Sequence, residues 1–171
     1  DAINNARVNG ENILTVPTGY DYEKFRPAGG KENLVISVSV GDTWTRVQLK
    51  GLDTFVKSAE FLSDVRFLVI GIQGGALKKL QDITSPNVEF LGPLSQDELI
   101  PYYQRAKVYC QLSMRDGLPN ALCEAMLCEC VPVGTRNCGI PTAIGDTGFY
   151  VPYGDPKATA EAIKEALNAD K

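Results

Sequence analysis

The most informative stretch of this 171-residue chain is Ser113–Met126, which places two carboxylates eight positions apart. Asp116 is predicted to lie in a loop. Glu124 is predicted to lie about a turn and a half into a helix that begins at Pro119, because proline suits the first helical position. Between the two acids lies a helix N-terminus, whose free N–H groups and positive dipole end suit a phosphate. This arrangement predicts a site for a sugar, a diphosphate and a ribose in a row.

The elements that position these acids are predicted strands alternating with helices from Asn33 onward. Such alternation predicts an α/β fold with a parallel sheet and helices on both faces, which binds ligands beyond the carboxyl ends of its strands. The predicted strands are Asn33–Val40, Val65–Gly71, Asn87–Leu91, Val108–Leu112, Val131–Gly134 and Phe149–Val151. The predicted helices are Gly51–Leu62, Ala76–Asp82, one opened by a capping box at Ser95 and Glu98, the one from Pro119, and a last one from Asp155-Pro156.

Composition limits the classes of partner. A chain with 44% hydrophobic and 22% charged residues is typical of a soluble globular domain. Its net charge of −4 favours neither nucleic acid nor an anionic membrane surface as a partner. Apolar runs stay below the roughly 18 residues of a membrane span, and the N-terminus lacks a signal-peptide pattern, so we expect a cytoplasmic protein. The chain begins with Asp1 rather than Met, which favours a piece of a longer protein.

Five cysteines and no histidine are present. Four of them cluster between Cys123 and Cys138, but without a C-x2-C pair, so a zinc site is disfavoured and buried, reduced thiols are expected. We therefore expect no metal.

The residues around the two acids resemble the signature of the group-1, retaining, nucleotide-sugar-dependent glycosyltransferases. The E-x7-E motif of that family, often written EGFP…LEAMACGxPVV, is similar to Asp116–Val133. Other phrases match in the same order: Ile13–Asp21 with Phe25–Pro27, Lys50–Asp53, Val88–Gly92 with Glu98-Leu99, and Thr147–Val151 with Gly154–Pro156. Because the ordered matches cover nearly the whole chain, they are far more specific than any one phrase.

The resemblance implies roles for the two acids. Glu124 matches the family's second Glu, which accepts hydrogen bonds from both ribose hydroxyls. Asp116 matches the first Glu, which contacts the donor sugar, but it is one methylene shorter; a cap on the following turn is the alternative. The backbone around Pro119 would meet sugar hydroxyls or phosphate through the N–H groups of Gly117, Leu118 and Asn120.

The resemblance also implies two cations. Lys50 matches the family's diphosphate-binding Lys, although a solvated surface lysine is the plainer interpretation. The family's companion Arg commonly follows a Gly after the first strand, where this chain has Gly41-Asp42, and Arg46 is the predicted substitute. Both cations would offset the charge of the leaving diphosphate.

Glycines complete the predicted donor site. Gly19 and Gly92 lie in two of the matched phrases, with Thr18 in place of the family's Asn. Gly139 lies in a loop that resembles GGxPE, with Thr142 in place of the acid. Glu129 stands where the family has a helix-ending Gly, a position that often needs a positive φ.

The resemblance implies one Rossmann-like half of a GT-B glycosyltransferase. We divide the chain into an N-terminal segment and linker, residues 1–32, and a donor-binding domain, residues 33–171. The nucleoside diphosphate sugar would be a co-substrate, with no cofactor. The missing N-terminal half would hold the acceptor and a commonly catalytic histidine, and any peripheral membrane association would run through that half. This fragment would then bind the donor without efficient transfer.

Two other classes stay open. The chain could be a non-catalytic nucleotide-binding partner or regulatory half, as the departures at Asp116, Asp42 and Thr142 permit. It could also be another Rossmann-like nucleotide module, although Gly71-x-x-Gly74-Gly75 is not the G-x-G-x-x-G dinucleotide fingerprint.

Overall fold

Six parallel strands form the centre of the molecule. The computed structural model describes residues 18–169. The strands are β1 (Glu32–Gly41), β2 (Arg66–Ile72), β3 (Val88–Leu91), β4 (Ala106–Gln111), β5 (Val131–Thr135) and β6 (Phe149–Val151). Their order in the sheet is β3-β2-β1-β4-β5-β6, and every neighbouring pair is parallel. This is the doubly wound order, whose direction reverses between β1 and β4. The predicted fold class is confirmed.

Helices connect the strands. They are α1 (Trp44–Leu49), α2 (Leu52–Ser58), α3 (Gly74–Gln81), α4 (Gln96–Arg105), α5 (Asn120–Leu127), α6 (Ile140–Ile144) and α7 (Pro156–Asn168), with a 3-10 turn at Ala59–Phe61. None of the helices in the described part of the chain is long and apolar enough to cross a membrane.

Both faces of the sheet are covered by apolar side chains. Successive residues of β1 alternate between the two resulting cores, since Val35 belongs to one and Leu34 and Ile36 belong to the other. The first core contains residues of α1, α2, α3 and α7, and the second contains residues of α4, α5 and α6. This two-sided burial explains why the strands read as continuous apolar runs.

Sequence and structure differ mainly at short elements. The six-residue helix α1 and the five-residue helix α6 were not predicted, because such short segments show little periodicity. Helix α5 begins at Asn120 rather than Pro119, which caps it with ψ 106°, outside the helical range. The capping box at Ser95 and Glu98 is confirmed.

The described part of the N-terminal segment packs on α4. Phe25 is 3% exposed and belongs to the second core. The Lys24 ammonium forms an ion pair with Asp97 at 2.7 Å and donates to Gln96 Oε1 at 2.8 Å. The part of the first matched phrase before Thr18 lies outside the described residues, and the boundary at residue 32 stays a prediction.

The end of α5 confirms the strained position that the sequence indicated. Glu129 has φ 62°, and its N–H donates to Met126 O at 2.9 Å. The N–H of Cys130 donates to Ala125 O at 2.9 Å, which completes a Schellman motif. Glu129 therefore occupies the left-handed position that glycine fills at lower cost.

This strain predicts a difference between two variants that both lack the carboxylate. Glu129→Gly relieves the left-handed backbone, whereas Glu129→Ala retains it, so we expect the Gly variant to be more stable by about 1 kcal/mol. Urea unfolding of both variants measures this difference directly. Equal unfolding midpoints with equal slopes would contradict the strain at this position.

Candidate functional site

The candidate site lies where the direction of strand order reverses. Lys50 follows α1, which is attached to β1, and Asp116 follows β4, the neighbour of β1. Ligands of doubly wound sheets bind in the crevice at this switch point, beyond the carboxyl ends of the strands. The topology therefore places two of the predicted catalytic residues at the position expected for a ligand.

Lys50 and Asp116 form an ion pair. Lys50 Nζ lies 2.6 Å from Asp116 Oδ2, and each side chain is 17% exposed. The backbone brings them together, because Met114 N–H donates to Leu49 O at 2.8 Å. Gly51 has φ 67° and packs so closely that a Cβ there would lie 2.2 Å from Leu112 O. The close approach at Gly51 fixes Lys50 beside the loop that carries Asp116.

A buried amide holds the same carboxylate oxygen. Gln111 Nε2 donates to Asp116 Oδ2 at 2.9 Å and to Ser113 Oγ at 2.8 Å. Gln111 Oε1 accepts from the Tyr109 hydroxyl at 3.4 Å. Sequence reasoning missed Gln111; a polar residue directly after the apolar run Val108–Cys110 was the available signal.

The loop at Asp116 rests on the loop before α6. Gly139 N–H donates to Asp116 O at 3.0 Å. A Cβ at Gly139 would lie 1.7 Å from Gly117 O, so only glycine allows this approach. Leu118 is half-buried and Pro119 is buried beside them. The predicted residues Asp116, Gly117 and Gly139 are thus brought together by backbone contact.

The predicted anion site corresponds to the N-terminus of α5. The N–H groups of residues 120–122 have no acceptor within the helix, and no side chain among residues 18–169 caps them. Tyr20 donates its hydroxyl to Asn120 Oδ1 at 3.0 Å, a contact that sequence reasoning missed. Partial burial raises the pKa of Tyr20, and the hydrogen bond with Cys123 adds to the effect, so the hydroxyl keeps its proton.

Glu124 is a buried acid, not a solvated helix charge. Glu124 is 6% exposed, and its carboxylate accepts from Gln96 Nε2 at 2.6 Å and from the Tyr103 hydroxyl at 3.4 Å. Burial is the main cause that raises the pKa of Tyr103, and the nearby Tyr109 and Glu124 side chains raise it further. The Tyr103 hydroxyl therefore keeps its proton and remains a hydrogen-bond donor. A carboxylate offers about four lone-pair positions, so Glu124 retains capacity for two further hydrogen bonds.

The remaining predicted residues are Arg46, Gly19 and Gly92. Arg46 is exposed on α1, one helical turn before Lys50, and its Cγ would lie 2.6 Å from a Cβ at Gly41. Its side chain therefore crosses the carboxyl end of β1. Gly19 and Gly92 are exposed with open space beside them. Gly92 follows the edge strand β3, in the loop that leads to Gln96, and Gln96 donates to Glu124.

The described cysteines do not form disulfides. Burial raises the pKa of Cys130 to about 12, and this thiol donates to Tyr103 O at 3.1 Å. Cys138 is exposed and Cys123 is half-buried, which corrects the expectation of burial for these two thiols; Cys138 lies in the loop before α6 rather than in a core element. Within residues 18–169, no group of three or more acidic or cysteine side chains is placed to hold a metal ion.

A family model described as "Glycosyl transferases group 1" matches residues 35–169. The chain belongs to the group 1 glycosyltransferases. The matched range contains all the strands from the middle of β1 onward and every residue of the candidate site except Gly19 and Tyr20.

Two curated glycosyltransferases that resemble this chain are longer than it. The D-inositol 3-phosphate glycosyltransferase of Mycobacteroides abscessus is 31% identical over 71% of this chain and 30% of its own length. The capsular polysaccharide biosynthesis glycosyltransferase CapM of Staphylococcus aureus is 30% identical over 92% of this chain and 47% of its own. This chain spans less than half the length of these relatives.

Solved structures share the fold. The C-terminal domain of the glycosyl transferase group 1 family protein LpcC from Francisella tularensis aligns with a TM-score of 0.72 at 18% identity, covering 88% of this chain and 89% of that one. Anabaena HepE, solved with UDP and glucose, aligns with a TM-score of 0.83 at 17% identity, covering 97% of this chain and 50% of that one. These likenesses show the Rossmann-like fold of one GT-B half.

Proposed function

We propose that this chain is the donor-binding half of a retaining glycosyltransferase that uses a nucleoside diphosphate sugar. The observation that carries the proposal is the Lys50–Asp116 ion pair at the switch point of the sheet, on the loop that leads into α5. Membership of the group 1 family supports sugar transfer as the reaction. The structural neighbour HepE, which was solved with UDP and glucose, supports this donor class.

Each part of the donor has a proposed partner. The diphosphate lies against the Lys50 ammonium, the Arg46 guanidinium and the first N–H groups of α5, which supply positive charge where the leaving group gains negative charge. The ribose hydroxyls donate to Glu124. The sugar hydroxyls contact Asp116 and the backbone of Gly117. In a retaining reaction, the leaving phosphate assists deprotonation of the acceptor on the face it has just left.

The acceptor and the commonly catalytic histidine belong to a separate N-terminal half in this proposal. The chain has no histidine, so none of its own side chains supplies that group. No metal takes part, because Lys50, Arg46 and the N-terminus of α5 neutralise the diphosphate. The donor would be used in the cytoplasm, and any association with a membrane surface would run through the N-terminal half.

Calorimetry tests this proposal on the chain as it exists. We expect one of UDP, GDP and ADP to bind, together with its sugar conjugate, weakly because only one wall of the cleft is present. NAD serves as the control for a different nucleotide module. A folded sample that binds none of the three diphosphates at millimolar concentration would exclude a donor-binding role, and tighter binding of NAD would favour the alternative module.

A further inference from the structure

We propose that Gln111 is a positioning residue that fixes the Asp116 carboxylate for the donor sugar. The inference rests on the proposed function, and it concerns a residue that matches none of the family phrases. Gln111 is the last residue of β4 and is 6% exposed. It reaches the donor only through Asp116, five residues further along the chain.

The orientation of the Gln111 amide is determined by its neighbours. Asp116 is a carboxylate that only accepts, so it must face the amide nitrogen, at 2.9 Å. Tyr109 donates its hydroxyl to the amide oxygen at 3.4 Å, and burial raises the pKa of Tyr109, so it stays protonated. A flipped amide would oppose acceptor to acceptor at Asp116, whereas the Tyr109 hydroxyl can donate or accept and so tolerates either orientation. The contact with Asp116 therefore selects the amide orientation.

Two donors share one oxygen of Asp116. Lys50 and Gln111 both donate to Oδ2, whereas Oδ1 accepts no hydrogen bond from a side chain among residues 18–169. Rotation of the carboxylate would break both bonds at once. Oδ1 is therefore the acceptor left for a sugar hydroxyl.

The two donors differ in mobility. Lys50 is a flexible cation that a diphosphate can attract away from Asp116, whereas Gln111 is buried at the end of a strand. When Lys50 turns to the diphosphate, Gln111 keeps its hydrogen bond to Oδ2. Asp116 then retains its orientation during the step in which the sugar must be held. This division of roles compensates for the missing methylene of Asp116 relative to Glu.

The test separates affinity for the sugar from affinity for the nucleotide. Gln111→Met keeps similar length without a donor, and Gln111→Glu places an acceptor against Oδ2. Calorimetry compares the nucleoside diphosphate that binds the wild type with its sugar conjugate. For Gln111→Met we expect a change below about twofold for the diphosphate and a loss of about fivefold to tenfold for the conjugate. Gln111→Glu should lose more, because like charges would face each other.

Ser113→Ala is the matched control. It removes the other acceptor of Gln111 Nε2 at the same buried place but leaves the bond to Asp116, so the ratio of the two affinities should not change. Equal losses for both ligands in Gln111→Met would overturn the proposal and show that Gln111 only supports the loop. An unchanged conjugate affinity would overturn it as well.

A measurement without ligand distinguishes failure of this inference from failure of the proposed function. NMR of the Gln111 side-chain NH₂ should show hydrogen-exchange protection that falls severalfold in Asp116→Ala, which removes the acceptor. Unchanged protection would refute the contact itself. If the wild type binds no nucleotide sugar, the sugar contact is refuted together with the proposed function, whatever the protection shows.

Discussion

Replacing Lys50 with Met should weaken binding of the proposed nucleoside diphosphate by about 10-fold to 150-fold, because a hydrogen bond to a charged group contributes about 1.5–3 kcal/mol. The parent nucleoside should bind unchanged, since Lys50 contacts only the diphosphate in the proposed complex. Met keeps most of the length of the side chain, so lost packing contributes little. Calorimetry with the two ligands measures both affinities.

Asp116 makes the expected loss of affinity in Lys50→Met larger than the loss of one hydrogen bond would cause. Without Lys50, its carboxylate faces the diphosphate with only Gln111 as a partner, and like charges repel. The double variant Lys50→Met, Asp116→Asn should therefore recover part of the affinity for the bare diphosphate. Lys57→Met is the charge-matched control, since Lys57 lies in the last turn of α2, away from the ion pair. An equal loss in the Lys57 and Lys50 variants would show a general charge effect.

The sequence predicted where the site residues lie in the fold better than which side chains contact them. Apolar runs and turn residues placed Asp116 in a loop after a predicted strand and Glu124 in the helix that follows, whereas Lys50 was selected only by the family resemblance. The resemblance, through the glycine that the family has at that position, predicted the left-handed conformation of Glu129. These features depend on residues within a few positions of one another, which a single sequence reveals.

The contacts that orient the site come from distant parts of the chain. Tyr20 and Asn120 are 100 positions apart, and Gln96 lies 28 positions before Glu124. Burial of Glu124 was likewise hidden, since it depends on how α4 packs beside α5. Pairing across the sheet determines these distances, and no local periodicity encodes them. The short helix before Lys50 was missed for a related reason, because tertiary contacts stabilise a segment too short to show a pattern.

Gly139→Ala should have the second large effect, through the backbone rather than a charge. The added Cβ would lie 1.7 Å from Gly117 O, so the loops must separate by more than an ångström. That movement breaks the hydrogen bond from Gly139 N–H to Asp116 O and shifts the carboxylate away from Lys50. We expect a loss of about 1–3 kcal/mol in the free energy of unfolding, and a weaker preference for the sugar conjugate over the bare diphosphate.

Gly117→Ala separates this clash from a general intolerance of the loop. Gly117 belongs to the same contact, but a Cβ there meets nothing within 4 Å and its φ is not in the left-handed range. Urea unfolding of Gly117→Ala should give a free energy of unfolding within about 0.5 kcal/mol of that of the wild type. Similar losses in the two variants would mean that the loop resists any side chain. A stable Gly139→Ala variant with unchanged sugar preference would show that contact between the two loops does not position Asp116.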